Sequence, residues 1–179
     1  SMVTGWQSIS GATYYFQADG AAKTGWLKEN GKLYYFGADA QLCTGWQTID
    51  GKRYCFRTDG SAVIGWQKAA NGFSYYFQAD GSMAIGWQQI NGKWYYFDES
   101  GTMLTGWHKI DGKWYYLDPN GIMLTGWLKD DSSGDWYYLS PNGDMVSGVM
   151  ELDGRIYYLG SPDSGRMETG TIRVNGRNY

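Results

Sequence analysis

Tryptophan and tyrosine are the residues of this chain whose types and spacing are suited to ligand chemistry. The 179 residues include 10 Trp and 16 Tyr against 6 Phe, so most rings carry a polar edge. In three segments a second indole, Trp94, Trp114 or Trp136, follows shortly after a Gly-Trp pair. Two indoles and a nearby tyrosine form an open-sided box whose ring faces attract a quaternary ammonium group. Each ring contributes roughly 0.5–2 kcal/mol, so one box binds weakly and several boxes together suit a polymeric ligand.

The remaining side chains show no pattern typical of an enzyme, a metal site or a nucleic-acid binder. His108 is the only histidine, and the acidic residues fall mainly in turns, where Asp favours the local backbone geometry. We therefore expect no catalytic residue, no metal and no cofactor. With 15 basic and 18 acidic residues, the net charge of -3 argues against phosphate-backbone binding. No apolar run approaches the roughly 20 residues that a membrane-spanning helix needs, so we expect no membrane insertion.

A repeat of about twenty residues organises the whole chain. The dipeptide Gly-Trp begins each of the first seven copies, and two further copies keep the glycine without the indole, at Gly148 and Gly170. We therefore predict a single repeat array over 1-179, with eight full repeats and a truncated ninth over 170-179. The full repeats start near residues 5, 25, 45, 65, 86, 106, 126 and 148.

Each repeat is predicted to form a β-hairpin. Pairs such as Asp111-Gly112 tolerate the positive φ values that two-residue hairpin turns require. With that turn, Trp107 lies opposite Tyr116, and alternation places Trp114 on the same face as Trp107. A hairpin of this length cannot bury a face alone, so the fold class predicted is all-β, an elongated β-hairpin solenoid. Equivalent turn pairs occur at Asn30-Gly31, Asp50-Gly51, Asn71-Gly72, Asn91-Gly92, Asp153-Gly154 and Asn175-Gly176.

The motif of Gly-Trp, a short turn, Trp-Tyr-Tyr-Phe and Gly-x-Met resembles the choline-binding repeat family over essentially the whole chain. The resemblance implies a choline-binding-module-like superhelix with choline sites between successive hairpins. Each site would take two Trp from one repeat, a Tyr from the next and a nearby Met. The residues implied are Trp87, Trp94 and Tyr115 with Met103; Trp107, Trp114 and Tyr137 with Met123; and Trp127, Trp136 and Tyr157 with Met145. The second tyrosine of each pair, Tyr116, Tyr138 or Tyr158, remains an alternative.

The first four repeats depart from this motif in a correlated way. At the position of the second indole they carry Thr13, Leu33, Arg53 and Ser74. At the position of the methionine, the first three carry Ala22, Leu42 and Ala62. Because both box components are lost together, these repeats are expected to bind no choline or a different ligand. Such repeats also resemble the glucan-binding repeats of glucosyltransferases.

The sequence thus predicts a non-catalytic cell-wall-binding module that anchors a secreted bacterial surface protein to choline- or phosphocholine-bearing teichoic acids. Three alternatives remain open. The module recognises a glucan or another glycan by ring stacking, or it is an adhesin stalk with a host-protein partner, or it is the targeting part of a larger lytic enzyme. Cys43 and Cys55 lie on different registers of one hairpin and are predicted not to form a disulfide.

Overall fold

A computed structural model describes residues 2–70, 72–170, 173–174 and 176–178, and within these ranges every regular element is a β-strand. The strands form nine antiparallel hairpins, each a separate two-stranded sheet. This confirms the predicted all-β hairpin repeat. The strands are β1 Gly5–Ile9, β2 Ala12–Phe16, β3 Gly25–Glu29, β4 Lys32–Phe36, β5 Gly45–Ile49, β6 Lys52–Phe56, β7 Gly65–Lys68, β8 Ser74–Phe77, β9 Gly86–Ile90, β10 Lys93–Phe97, β11 Gly106–Ile110, β12 Lys113–Leu117, β13 Gly126–Lys129, β14 Trp136–Leu139, β15 Gly148–Leu152, β16 Arg155–Leu159, β17 Arg173–Val174 and β18 Arg177–Asn178.

The chain divides into two compact lobes. The N-terminal lobe comprises Ser1–Ile85 and Glu99–Thr102, and therefore holds hairpins 1 to 4. The C-terminal lobe comprises Gly86–Asp98 and Met103–Tyr179, and holds hairpins 5 to 9. Each lobe is described by itself below.

The predicted two-residue turns set the register of the hairpins. Asp111 and Gly112 have φ values of 48° and 80°, and Trp107 pairs with Tyr116, as the sequence predicts. The first hairpin uses Ser10-Gly11 for the same turn, with φ values of 50° and 83°. The fourth and seventh hairpins close instead through longer loops, from Lys68 to Ser74 and from Lys129 to Trp136, so the two-residue turn predicted at Asn71-Gly72 is wrong. The same positive φ values occur at Asn30, Asp50, Asn91 and Asp153, whereas Asn71 and Asn175 lie outside the described residues.

Within each lobe, a return segment joins its hairpin to the hairpin before it. In the sixth repeat, Met123 forms a β-bridge with Leu117 of its own hairpin. Its backbone N–H donates to the Trp94 carbonyl of hairpin 5 at 2.8 Å. The neighbouring Leu124 N–H donates to the Tyr116 carbonyl at 2.9 Å, which holds the segment against hairpin 6. The equivalent bonds to the preceding hairpin run from Leu42 to Thr13, Ala62 to Leu33, Met83 to Arg53, Met145 to Trp114 and Met167 to Trp136.

In hairpins 2 to 8, the last residue of the second strand is buried and lies opposite the glycine that begins the first strand. Phe36 pairs with Gly25 and is fully buried, and Leu117 pairs in the same way with Gly106. The glycine has a positive φ, 71° at Gly25 and 83° at Gly106, and an added Cβ there would meet no atom within 4 Å, so the backbone conformation rather than close packing favours glycine. The buried apolar residues form a row along each lobe: Phe36, Phe56 and Phe77 in the N-terminal lobe, and Phe97, Leu117, Leu139 and Leu159 in the C-terminal lobe. Other buried side chains join this row, as Ile49, Tyr54 and Ala62 do around Phe56.

The methionine of each return segment packs against a glycine in the loop of the next repeat, as Met123 does against Gly143. Its φ is +88°, and a Cβ there would lie 2.3 Å from the Met123 sulfur. The Met103 sulfur has the same relation to Gly121, and the Met145 sulfur to Gly165. A larger residue at Gly143 would therefore push the Met123 side chain out of its place.

We expect Gly143→Ala to destabilise the protein more than Gly112→Ala does. Both glycines have positive φ, which disfavours alanine, but an added Cβ at Gly112 meets no atom within 4 Å. The close contact with Met123 should add a cost at the lower end of the ~1–3 kcal/mol of an overpacked site, because the thioether is flexible. Urea denaturation measures both free energies of unfolding. Equal losses in the two variants would contradict this role of the Met123 contact.

Candidate functional site

The first box is a cavity of about 260 Å³ in the C-terminal lobe. Trp87 and Trp94 of hairpin 5 meet edge to face, with ring centroids 6.4 Å apart and an interplanar angle of 84°. Tyr115 of hairpin 6 lies 4.8 Å from the Trp87 ring. Met123 of the sixth return segment and Asn142 complete the lining. Trp94 is 41% exposed, so the box is open to solvent on one side and has the size for a small head group.

The second box repeats this arrangement one hairpin later and adds a carboxylate. Trp107 and Tyr137 have ring centroids 4.9 Å apart, and Trp114 and Met145 line the same cavity of about 160 Å³. Asp163, from the loop after hairpin 8, also lines it. Because the Lys109 ammonium lies 2.9 Å from Asp163, this carboxylate is already ion-paired, and the second box offers a cation mainly its aromatic faces.

The third box is formed by hairpins 7 and 8. Trp127 and Trp136 have ring centroids 6.4 Å apart at 82°, and Tyr157 lies 4.9 Å from Trp127. Both indoles are exposed, by 36% and 41% respectively. The Met167 N–H donates to the Trp136 carbonyl at 2.7 Å, which gives Met167 the position that Met123 has beside Trp94.

The methionine of each box comes from the following repeat, which corrects the sequence-based grouping. Met123, not Met103, lines the first box, and Met145, not Met123, lines the second. The physical reason is the bond from each return segment to the preceding hairpin, which carries the methionine back by one repeat. The sequence motif groups Met145 with the third box, whereas in the structure the equivalent position beside Trp136 belongs to Met167. Met103 instead bridges to Phe97 and packs beside Gly121.

The first tyrosine of each pair faces the indole of the preceding hairpin. Tyr115 and Tyr137 line the first and second cavities. The second tyrosine has a different position, since Tyr116 is the cross-strand partner of Trp107 within one hairpin, with the rings 5.2 Å apart. Tyr138 has the same relation to Trp127, and Tyr158 pairs with Val149. Trp107 thus contacts the second tyrosine of its own hairpin, Tyr116, and the first tyrosine of the next hairpin, Tyr137.

Hydrogen bonds and charges differ between the boxes. Burial, and secondarily the Asp144 carboxylate, raise the pKa of Tyr115 above its ordinary value, so the first box presents a neutral phenol. In the second box the Trp107 Nε1–H donates to Asp130 at 3.1 Å. Donation from the Ser132 hydroxyl and nearby backbone N–H groups lowers the pKa of Asp130 to about 2. Asp130 is therefore ionised at neutral pH and fixes the orientation of the Trp107 indole.

Lys109 lies at the edge of the second box. Its ammonium is 2.9 Å from Asp163 and 5.9 Å from the centre of the Trp114 ring. The hydrogen bond from Lys109, followed by its charge, lowers the pKa of Asp163. The Trp114 Nε1–H adds a small lowering of that pKa but does not reach hydrogen-bonding geometry. Its Nε1 is therefore buried without an acceptor among the described residues.

The N-terminal lobe keeps the first indole and the tyrosine of each box but not the second indole. Trp26 lies 4.9 Å from Tyr54, the same spacing as in the complete boxes. Leu33, at the position of the second indole, packs with Trp26 against the buried cluster that contains Tyr54 and Ala62. Apolar side chains thus replace the second indole and the methionine wall at this site.

The other candidate residues are not brought together into a site. His108 is half-buried, with its Nε2 at 3.0 Å from the Thr105 carbonyl oxygen. Cys43 and Cys55 are both free thiols, as predicted. Within the described ranges, the structure holds no group of three His, Cys, Asp or Glu residues arranged to bind a metal ion. No helix long and apolar enough to span a membrane occurs among the residues described.

A comparison with models of known protein families finds one family whose model matches hairpins of both kinds, those with and those without a second indole. The choline-binding repeat matches residues 3–40, 43–85, 63–104, 84–119 and 104–149. The chain belongs to the choline-binding repeat family. Choline-binding repeats are non-catalytic binding domains, and the aromatic clusters between successive hairpins fit choline. A comparison with curated proteins finds no match.

Solved choline-binding proteins share this arrangement of repeats. CbpJ from Streptococcus pneumoniae is 33% identical with a TM-score of 0.85, covering 99% of this chain and 69% of CbpJ. Choline-binding protein F from the same species, solved in the presence of a peptidoglycan analogue, is 40% identical with a TM-score of 0.78. That match covers 93% of this chain and 58% of choline-binding protein F. The choline-binding domain of CbpL, also from Streptococcus pneumoniae, is 30% identical with a TM-score of 0.67, covering 93% and 87% of the two chains.

We expect Met123→Ala to weaken choline binding at the first box, whereas Met103→Ala leaves all three boxes unchanged. A sulfur–aromatic contact is worth about 0.3–1.5 kcal/mol, which corresponds to roughly a 2- to 10-fold loss of affinity. The choline-dependent shift of the Trp87 indole N–H signal in a nitrogen–proton correlation spectrum measures this site alone. A Met103→Ala variant with weakened first-box binding would restore the sequence-based grouping.

Proposed function

We propose that this chain binds choline groups of cell-wall teichoic acid through the three boxes of its C-terminal lobe. The observation that carries the proposal is the repeated geometry of these boxes. The indole-to-tyrosine spacing is 4.8 Å in the first box and 4.9 Å in the second and third. A trimethylammonium group is attracted to ring faces and needs no hydrogen-bond acceptor, which suits walls made of two indoles, a phenol and a thioether.

The ligand proposed is a polymer that carries many choline groups. A single open-sided box is a weak site, because each ring adds only roughly 0.5–2 kcal/mol. When one box is occupied, neighbouring choline groups on the same polymer reach a high effective concentration at the other boxes. Retention on a decorated cell wall is therefore expected to exceed the affinity for free choline by a large factor.

The module is proposed to act as an anchor rather than an enzyme. Its described side chains bring together aromatic walls and single carboxylates, and the family model that it matches describes a binding repeat. The matched relatives are choline-binding proteins of Streptococcus pneumoniae, which supports a location at the bacterial cell wall. Any catalytic or adhesive activity would belong to a further domain of the same protein.

Glycan binding is the second candidate function, and one observation favours it. In the N-terminal lobe the indoles Trp46 and Trp66 are 48% and 44% exposed. Exposed ring faces are suited to stacking against sugar rings as well as to cations. The Arg53 guanidinium lies 4.6 Å from the centre of the Trp46 ring, so Trp66 is the indole of the two that is better suited to glycan recognition.

We expect choline at millimolar concentration to raise the melting temperature, since a ligand that binds only the folded state stabilises it by mass action. A parallel pull-down on dextran tests the glycan alternative. Retention on dextran together with no choline-dependent change in melting temperature would favour glycan binding over choline binding.

We expect Trp114→Ala to remove the second box and reduce choline binding. Trp26→Ala is the matched control, because Trp26 packs against Tyr35, Tyr54 and Phe56 in a site without a second indole. It should cost stability, about 3–5 kcal/mol for a truncated packed indole, with little loss of affinity. Affinity is measured on folded protein by calorimetry, separately from the melting temperature. Equal losses of affinity would show that the N-terminal lobe also binds choline.

A further inference from the structure

The third hairpin holds three of the four walls of a box, all within the N-terminal lobe. Trp46 occupies the Gly-Trp position, and Tyr75 of hairpin 4 lies 6.2 Å from it. The Met83 N–H donates to the Arg53 carbonyl at 2.8 Å, the same bond that places Met123 beside Trp94. Trp46, Tyr75 and Met83 therefore occupy the same positions in their repeats as the first indole, the tyrosine and the methionine of a complete box.

Arg53 occupies the position of the second indole. Trp46 pairs with Cys55 in hairpin 3, and Arg53 lies two residues before Cys55 on the same strand. Alternation of side chains then places Arg53 on the same face as Trp46. In hairpin 5, Trp94 has this same position relative to Trp87.

The Arg53 side chain lies over the indole face rather than away from it. Its guanidinium carbon is 4.6 Å from the centre of the Trp46 ring. This is within the roughly 6 Å over which a cation interacts with an aromatic face. A guanidinium remains charged at any physiological pH and is weakly hydrated, so it suits such a position. The ring face of Trp46 is thus already in contact with a cation that belongs to the chain itself.

The distance between the first indole and the tyrosine is larger at this site than at the other two sites of the lobe that lack a second indole. Hairpins 1 and 2 also lack a second indole, yet Trp6–Tyr34 and Trp26–Tyr54 are both 4.9 Å apart. The Trp46–Tyr75 distance is 6.2 Å. Loss of the second indole therefore does not by itself widen the site. The wider spacing belongs to the site in which a guanidinium lies over the indole.

We propose that Trp46, Tyr75 and Met83 form a fourth cation cage that is occupied by the chain's own Arg53. This inference rests on the proposed function, because it assigns to this cage the same ligand class, a quaternary ammonium group, that the complete boxes take. Arg53 is the specificity-determining residue. The Arg53 guanidinium is tethered beside the Trp46 ring, so it competes with a choline group for the same ring face. Because choline binds a single box weakly, Arg53 excludes it from this cage.

There is open space beside Arg53 for the larger side chain of a tryptophan, the residue that would turn this cage into a complete box. A cavity of about 250 Å³ lies beside Arg53 and is also lined by Lys52, Gln78, Met83 and Glu99. Trp46 and Tyr75 do not line this cavity, so it is not the interior of the cage. Arg53→Trp places an indole at the position that Trp94 has relative to Trp87, on the same face as Trp46, and the open space beside residue 53 leaves room for the larger ring. That variant should therefore complete the fourth wall.

The test follows the indole N–H signals of the full chain in a nitrogen–proton correlation spectrum during a titration with choline chloride. Trp46→Phe assigns the Trp46 signal. In the unmodified protein the signals of Trp87, Trp107 and Trp127 should shift with choline while the Trp46 signal does not. In Arg53→Trp the Trp46 signal should gain a saturable shift, which reports a new site.

Two further variants make the result interpretable. Arg53→Ala removes the internal cation without adding bulk, so the Trp46 signal should shift at a higher choline concentration than in Arg53→Trp. Lys28→Ala removes one positive charge from an exposed position on β3 and should leave the Trp46 signal unchanged.

Two results would overturn the inference while leaving the proposed function intact. The first is a Trp46 signal that shifts in the unmodified protein together with the box signals. The second is a Trp46 signal that stays fixed in both Arg53 variants although their spectra show folded protein. If the signals of Trp87, Trp107 and Trp127 do not respond to choline, the proposed function itself fails, and the inference fails with it.

Discussion

The backbone hydrogen bond from each return segment to the preceding hairpin is the interaction on which the remainder of each lobe depends. Every hairpin is a separate two-stranded sheet, and such a sheet is at best marginally stable alone. The bond fixes the spacing between successive hairpins, as with Met123 and Trp94. Because it uses only backbone atoms, it persists where the side chains change to Leu42 or Ala62. The lobes therefore keep one architecture while the chemistry of each inter-hairpin groove varies.

This separation of backbone and side-chain roles explains how the boxes differ from one another. The first box combines neutral walls with Asn142, whereas the second has Asp163 in its lining and a Trp107 indole held by Asp130. Hairpin 8 has Val149 and Ile156 at the two indole positions, both exposed, and so presents no aromatic face there. The inter-hairpin grooves thus differ in their aromatic walls and charges, while the same backbone hydrogen bond joins successive hairpins within each lobe.

The sequence predicted what is set locally, within one hairpin. The turn at Asp111-Gly112 fixes the pairing of Trp107 with Tyr116, and alternation then places Trp114 correctly. The turn at Ser10-Gly11 was not identified, because serine is a weaker signal for positive φ than Asp or Asn.

The sequence did not predict what depends on contacts between repeats. The methionine of each box was placed one repeat too early, and Met167 was not identified, because the bond that carries the return segment backward joins residues far apart in the chain. The orientation of Arg53 over Trp46 was also invisible, since the sequence shows only that an indole is replaced. The sequence also did not decide whether Tyr115 or Tyr116 contacts the indole of the preceding hairpin. Adjacent tyrosines differ only in the face of the hairpin on which they lie, and the structure shows which face meets Trp87.

Each box is divided between two repeats, with both indoles on one and the tyrosine and methionine on the next. An unequal recombination event that inserts or deletes whole repeats would therefore place the two indoles of one repeat next to the tyrosine and methionine of another at every new junction. The gene can lengthen or shorten without a transitional form that has lost its existing sites. Avidity for a decorated polymer then becomes a property that selection adjusts by copy number, while changes at single positions, such as the one occupied by Arg53, switch individual sites off.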